Sequence, residues 1–198
     1  MKTDFLIAEF QECFAQNRYY DTVQTKMFNL SLLLASIFVT VLWAIAQVDR
    51  TYFVQNLGIV IQFSSLFLLI FNIISLWIVL RNRVYFVFCT RQMNTIRWFL
   101  IRKEVPSFLP KNQMYLSENF SMYKPFNVHS LIAYIFVLFI SGCVWLIVSF
   151  SPQHTTLLDR NLWTVWTTFF SFLLGIIFIP LFFSWHDKKS SDKVIHNK

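Results

Sequence analysis

The chain has 198 residues, of which 56% are hydrophobic, 19% aromatic and only 14% charged. Soluble globular chains carry about 25% charged residues, so this composition excludes an ordinary water-soluble domain. The formal charge of +7 would suit nucleic acid, but its placement along the chain, given below, points elsewhere.

Residues 1–26 read as a lead-in helix. Asp4, Glu9 and Glu12 interrupt its apolar residues, which a cleavable signal peptide does not tolerate. Leu6, Phe10, Cys13 or Phe14, Ala15 and Arg18 follow helical spacing, predicting a helix that lies on the membrane or runs into the first span. Phe28 to Val48 then holds no charged residue. At 1.5 Å per residue this run reaches about 30 Å, the thickness of a bilayer's hydrocarbon core. A short turn, Asp49-Arg50-Thr51-Tyr52-Phe53, leads to a second uncharged run from Leu57 to Leu80, bounded by Arg81 and Arg83. Arg81 to Asn127 is too charged for lipid. Two more runs follow, His129 to Phe150 and Leu162 to Ser184, before a basic tail from His186 to Lys198.

The expected fold is an all-α membrane protein, a four-transmembrane-helix bundle. It divides into a lead-in helix (1–26), a first hairpin (27–80), a basic segment with an amphipathic helix (81–127), a second hairpin (128–185) and the tail (186–198). Lys26-x-Phe28-Asn29 opens the first span, and Lys124-x-Phe126-Asn127 opens the third. Leu33, Ala35, Ile37, Phe38 and Val39 align with Leu131, Ala133, Ile135, Phe136 and Val137 at the same offset. The two hairpins therefore read as a parallel repeat.

The head, the central segment and the tail hold every Lys and Arg except Arg50 and Arg160, and the threading puts all three on one side. The positive-inside rule places that side, with both termini, in the cytoplasm. A cationic collar beside anionic headgroups accounts for the charge, and no direct nucleic-acid binding is expected. In the central segment Tyr85, Phe86, Cys89, Met93, Ile96 and Leu100 fall on one helical face and Arg83, Arg91, Arg97 and Arg102 opposite. Either this helix lies in the interface, or it continues from span two as a stalk. Pro106 and Pro110 should then turn the chain.

The spans contain no Asp, Glu, Lys or Arg, against the usage of proton-coupled transporters. Gln62, Ser65 and Asn72 lie toward one side of span two, suited to helix packing, an oligomer interface or pore lining. Ser36 and Thr40 of span one are the expected partners. No G-x-S-x-G, P-loop, H-E-x-x-H or paired-carboxylate motif occurs, and the three glycines nearly exclude a phosphate-cradling loop. The four histidines make no haem pair within spans, and Cys13, Cys89 and Cys143 lack metal spacing. No catalytic residue, metal or cofactor is expected. Trp43, Trp77, Trp145, Trp163, Trp166 and Trp185 fall toward span ends as an aromatic belt. Trp98 falls instead in the basic segment. Arg83, Arg91, Arg97, Trp98, Arg102 and Lys103 are the expected partner-binding set.

Four spans, minimal outer loops and a basic collar, with the lead-in Asn17-Arg18-Tyr19-Tyr20-Asp21 and Lys26-x-Phe28-Asn29, resemble the small membrane subunits and effectors of bacterial anti-phage systems. Within that group the chain is most similar to the membrane subunit of the two-gene Kiwa system. The resemblance implies a homo-oligomer of the bacterial inner membrane that responds to phage and works with a cytoplasmic DNA-binding subunit. It transfers no functional residue. Two expectations follow: a non-enzymatic sensor or scaffold that recruits a cytoplasmic partner, and a pore-forming effector gated by a cytoplasmic signal such as a cyclic nucleotide.

Overall fold

The computed structural model describes residues 2–48, 50–104, 120–150 and 157–195. They form four helices: α1 (Lys2–Val48), α2 (Arg50–Glu104), α3 (Val128–Ser149) and α4 (Leu157–Ile195). All four are long and apolar enough to cross a membrane, which makes the chain a multi-pass membrane protein. The turn expected at Pro106 and Pro110 falls outside the described residues.

α1 and α2 are much longer than a bilayer is thick. With 47 and 55 residues, they extend about 70 and 80 Å. The lead-in therefore runs straight into span one, and the basic segment continues straight from span two. No Gly or Pro interrupts either junction. The residues read as a connecting turn after Asp49 instead begin α2. Residues 3–26 and 81–104 thus pair as a two-helix stalk reaching about 35 Å beyond the apolar runs.

A heptad seam joins the pair. On α1 the covered positions are Phe10, Cys13, Asn17, Tyr20, Gln24, Met27, Ser31, Leu34 and Phe38, alternating steps of three and four. On α2, Ile61, Ser65, Leu68, Asn72, Ser75 and Val79 repeat that spacing and are all buried. A strict seven-residue repeat keeps two helices in contact by coiling them left-handedly.

The helices pack in series, α1 on α2, α2 on α3 and α3 on α4, while α2 and α4 meet only briefly. Only 6% of the apolar window of α1 and 11% of that of α4 is fully buried, so these two helices are edges left to lipid. The densest core gathers Leu80, Val87, Met122, Phe136, Ile179 and Phe183. It lies where α2, α3, α4 and the segment before α3 converge, at the basic end of the spans. Asn127 caps α3 by accepting a hydrogen bond from the Ser130 amide at 3.0 Å. Its counterpart in the repeated motif, Asn29, lies inside α1. Pro180 sits inside α4, where it removes one backbone donor.

Candidate functional site

The stalk and the layer at its base hold a set of polar contacts between the helices. Beginning at the base, Asp21 and Gln24 of α1 meet His129 at the start of α3. The carboxylate of Asp21 lies 3.3 Å from Nε2 of His129. The side chain of Gln24 bonds the imidazole at Nδ1 and donates to the His129 carbonyl at 3.4 Å. Phe86 of α2 closes this layer, its ring 4.8 Å from the imidazole.

Arg83 lies one turn before Phe86, just beyond the apolar run that ends at Leu80, and is 2% exposed. Its guanidinium is 5.4 Å from the Phe86 ring and 5.6 Å from that of Phe120, and Nε donates to the Met122 carbonyl at 3.2 Å. Cations held over desolvated aromatic faces gain more than at exposed sites. Burial pulls this guanidinium down to about 10, opposed by the Asp21 carboxylate, so it stays charged at neutral pH. One terminal nitrogen, Nη2, is buried without a hydrogen-bond partner among the described residues.

Higher up, Arg91 donates from Nε to the Phe120 carbonyl at 3.0 Å and pairs with Asp187 of α4 at 2.5 Å. Together Arg83 and Arg91 fasten the segment before α3 and the end of α4 to α2. Arg97 lies over the Phe10 ring of α1 at 4.9 Å and bonds Asn94 at 3.4 Å. Arg102 lies over Trp98 at 5.0 Å, and both are exposed, as is Lys103. The six residues read as one partner-binding surface therefore separate. Arg83, Arg91 and Arg97 hold helices together, and Trp98, Arg102 and Lys103 sit at the stalk tip.

The apolar and basic faces read from the sequence are also rotated. Arg83 and Asn94 are buried with Val84, Val87, Met93 and Ile96, whereas Tyr85 is exposed. The reason is that α2 has neighbours on two sides, α1 on one and α3 with α4 on the other. A single-face pattern does not describe such a helix.

In span two the polar residues turn inward within one chain. Asn72 accepts from the Ser31 hydroxyl at 2.7 Å and donates to the Leu68 carbonyl at 2.8 Å. Ser65 is fully buried, and Gln62 reaches the Ile147 carbonyl of α3 at 3.4 Å. The partner on span one is thus Ser31, not Ser36 or Thr40. Those two hydroxyls are exposed and donate to carbonyls one turn back, of Leu32 and Ser36. Gln24 and Ser31, which no sequence motif marks, share with Asn17 the seven-residue column Phe10, Asn17, Gln24, Ser31, Phe38. Asn17 donates to the Thr90 hydroxyl at 3.1 Å.

The outer faces of the stalk carry large apolar side chains. On α1, Phe5 is 67% and Tyr19 64% exposed, with Ile7 and Phe14 also open. On α2, Tyr85, Phe88, Trp98 and Phe99 are exposed. Phe5, Trp98 and Phe99 lie about 25–35 Å past the ends of the apolar runs, too far for lipid to cover. Among the described residues no group of three His, Cys, Asp or Glu could hold a metal ion. The chain matches no protein-family model, no curated protein and no solved structure.

Proposed function

We propose that this chain is a non-enzymatic membrane sensor or scaffold whose stalk recruits a protein partner in the cytoplasm. The observation that carries the reading is the aromatic tip of the stalk. Large apolar side chains exposed far from lipid mark protein interaction surfaces, and Arg102 and Lys103 beside Trp98 and Phe99 would favour an acidic face on the partner. The positive-inside rule supports a cytoplasmic stalk with both termini on that side. The continuous helices α1 and α2 give a direct mechanical route from spans to tip, so a perturbation of the bilayer would shift the tip without a separate domain.

The resemblance to membrane subunits of anti-phage systems suits a homo-oligomer of the bacterial inner membrane and makes phage infection the stimulus to test. Cells carrying the chain with its neighbouring genes should lose protection when Trp98 and Phe99 are both changed to Glu, at unchanged membrane abundance. Unchanged protection would overturn the tip as the recruiting surface. A pore lined by Gln62, Ser65 and Asn72 is not favoured, because Asn72 is engaged with Ser31 and Ser65 is buried in the α2 seam. Lining a channel with them would require α1 to leave α2.

A further inference from the structure

We infer that the α2–α4 junction at the basic end of the spans is a binding site for the phosphate of an anionic phospholipid. The juxtaposition follows from helix geometry. α2 and α4 run in the same direction, and Trp77 of one touches Phe182 of the other with ring centroids 5.6 Å apart. One turn onward in each helix, at i+4, stand Arg81 and His186, so these two come to the same height along the junction. The imidazole of His186 lies against the rings of Phe182 (tilted) and Trp185 (edge-on), with centroids 4.6 Å away in each case. Lys189, one turn beyond Trp185, lies over that indole at 5.0 Å. Arg81 is oriented by donating to the Tyr85 hydroxyl at 2.8 Å.

Two cationic side chains, Arg81 and Lys189, thus flank His186, whose imidazole is held below its ordinary value by burial and by those two charges. The adjacent acid, Asp187, is engaged by Arg91. Groups of like charge at one place repel, and an anion between them removes that cost. The location selects the anion. Arg81 directly follows the apolar run ending at Leu80, and Trp77 and Trp185, about half exposed, mark the layer where indoles settle at the membrane–water boundary. A phospholipid phosphate lies at that depth, with its acyl chains able to run down the open face of α4 past Phe178 and Leu181. Arg offers the phosphate a planar fork of donors, and Lys a mobile point charge. The site differs from a diffuse cationic collar because its members are fixed by rings and a hydroxyl. It is also independent of what binds the stalk tip.

The test uses the full-length chain in neutral detergent, titrated with a fluorescent phosphatidylglycerol and, separately, with phosphatidylcholine. Losing one cation near a phosphate weakens anionic-lipid binding about fivefold. The double variant R81Q/K189Q should therefore bind phosphatidylglycerol at least about tenfold more weakly, with phosphatidylcholine binding unchanged. The variant K26Q/K124Q removes the same charge elsewhere at the same end of the spans and should keep its affinity. K189Q alone, a change at an exposed side chain, should show the single-cation step even if the double variant is poorly folded. Equal phosphatidylglycerol affinity in wild type and K189Q, or equal losses in both double variants, would overturn the site. Inorganic phosphate binding as tightly as phosphatidylglycerol would overturn a lipid as its occupant.

Discussion

Replacing Gly175 by alanine is expected to lower stability by about 1–3 kcal/mol, the cost of forcing extra volume into a close-packed contact. A Cβ at this position would stand 2.5 Å from Cγ1 and 2.8 Å from Cγ2 of Val137. Val137 is 1% exposed and β-branched, so its methyl groups cannot rotate out of the way. α3 and α4 would have to separate. Small residues that let helix backbones approach are a main source of helix association in lipid, where burial from water contributes nothing between spans. The sign is informative, because in an unconstrained helix alanine is favoured over glycine by about 0.5–1 kcal/mol. The check is the thermal midpoint in detergent, together with V137A in the same background. The double variant should recover most of the loss, as coupled neighbours do. A G175A protein as stable as wild type would mean that the two helices are not this close.

Arg83 should be the costliest single truncation in the polar layer. R83A removes the donor to the Met122 carbonyl and the cation held between Phe86 and Phe120, and it leaves Asp21 without its nearby buried cation. Losing a hydrogen bond from a charged donor costs about 1.5–3 kcal/mol, and the cavity left between Phe86 and Phe120 adds to it; Asp21, largely exposed, contributes little. R83K should restore little, since an ammonium cannot present a planar fork to two rings and a carbonyl. R102Q, at an exposed position, should change stability by less than about 0.5 kcal/mol. Thermal midpoints of the three variants test this ordering. R83A matching R102Q would show that the guanidinium does not tie the segment before α3 to α2.

Much of the architecture could be read from the chain because the bilayer imposes a coarse rule. A span needs about 20 uncharged residues, and Phe28–Val48, Leu57–Leu80, His129–Phe150 and Leu162–Ser184 satisfy it. The absence of Gly and Pro around Lys26 and Arg81 also left uninterrupted helices among the open alternatives. What the residues concealed was which face of each helix meets which neighbour. Arg83 looked like a surface cation because arginine is mostly exposed. Here two phenylalanines and a carbonyl make burial tolerable, and one of those rings lies 37 positions away at Phe120. Ser36 and Thr40 looked like partners for span two, but a hydroxyl in a helix can satisfy itself on the preceding turn. Ser31 was identifiable only from the seven-residue column, whose middle members are polar and so escape a hydrophobic pattern search. The apolar alignment of the two hairpins carried no information on capping. Asn127 ends a loop, whereas Asn29 lies within a helix.

In the proposed threading α1 and α2 leave the membrane together as one stalk on the cytoplasmic side. Single cysteines placed at Gln47 and at Arg102, in a chain with Cys13, Cys89 and Cys143 replaced by serine, test it with a membrane-impermeant maleimide on intact cells. Labelling is expected at position 47 before the membrane is opened and at position 102 only afterwards. Labelling of position 102 in intact cells would contradict it.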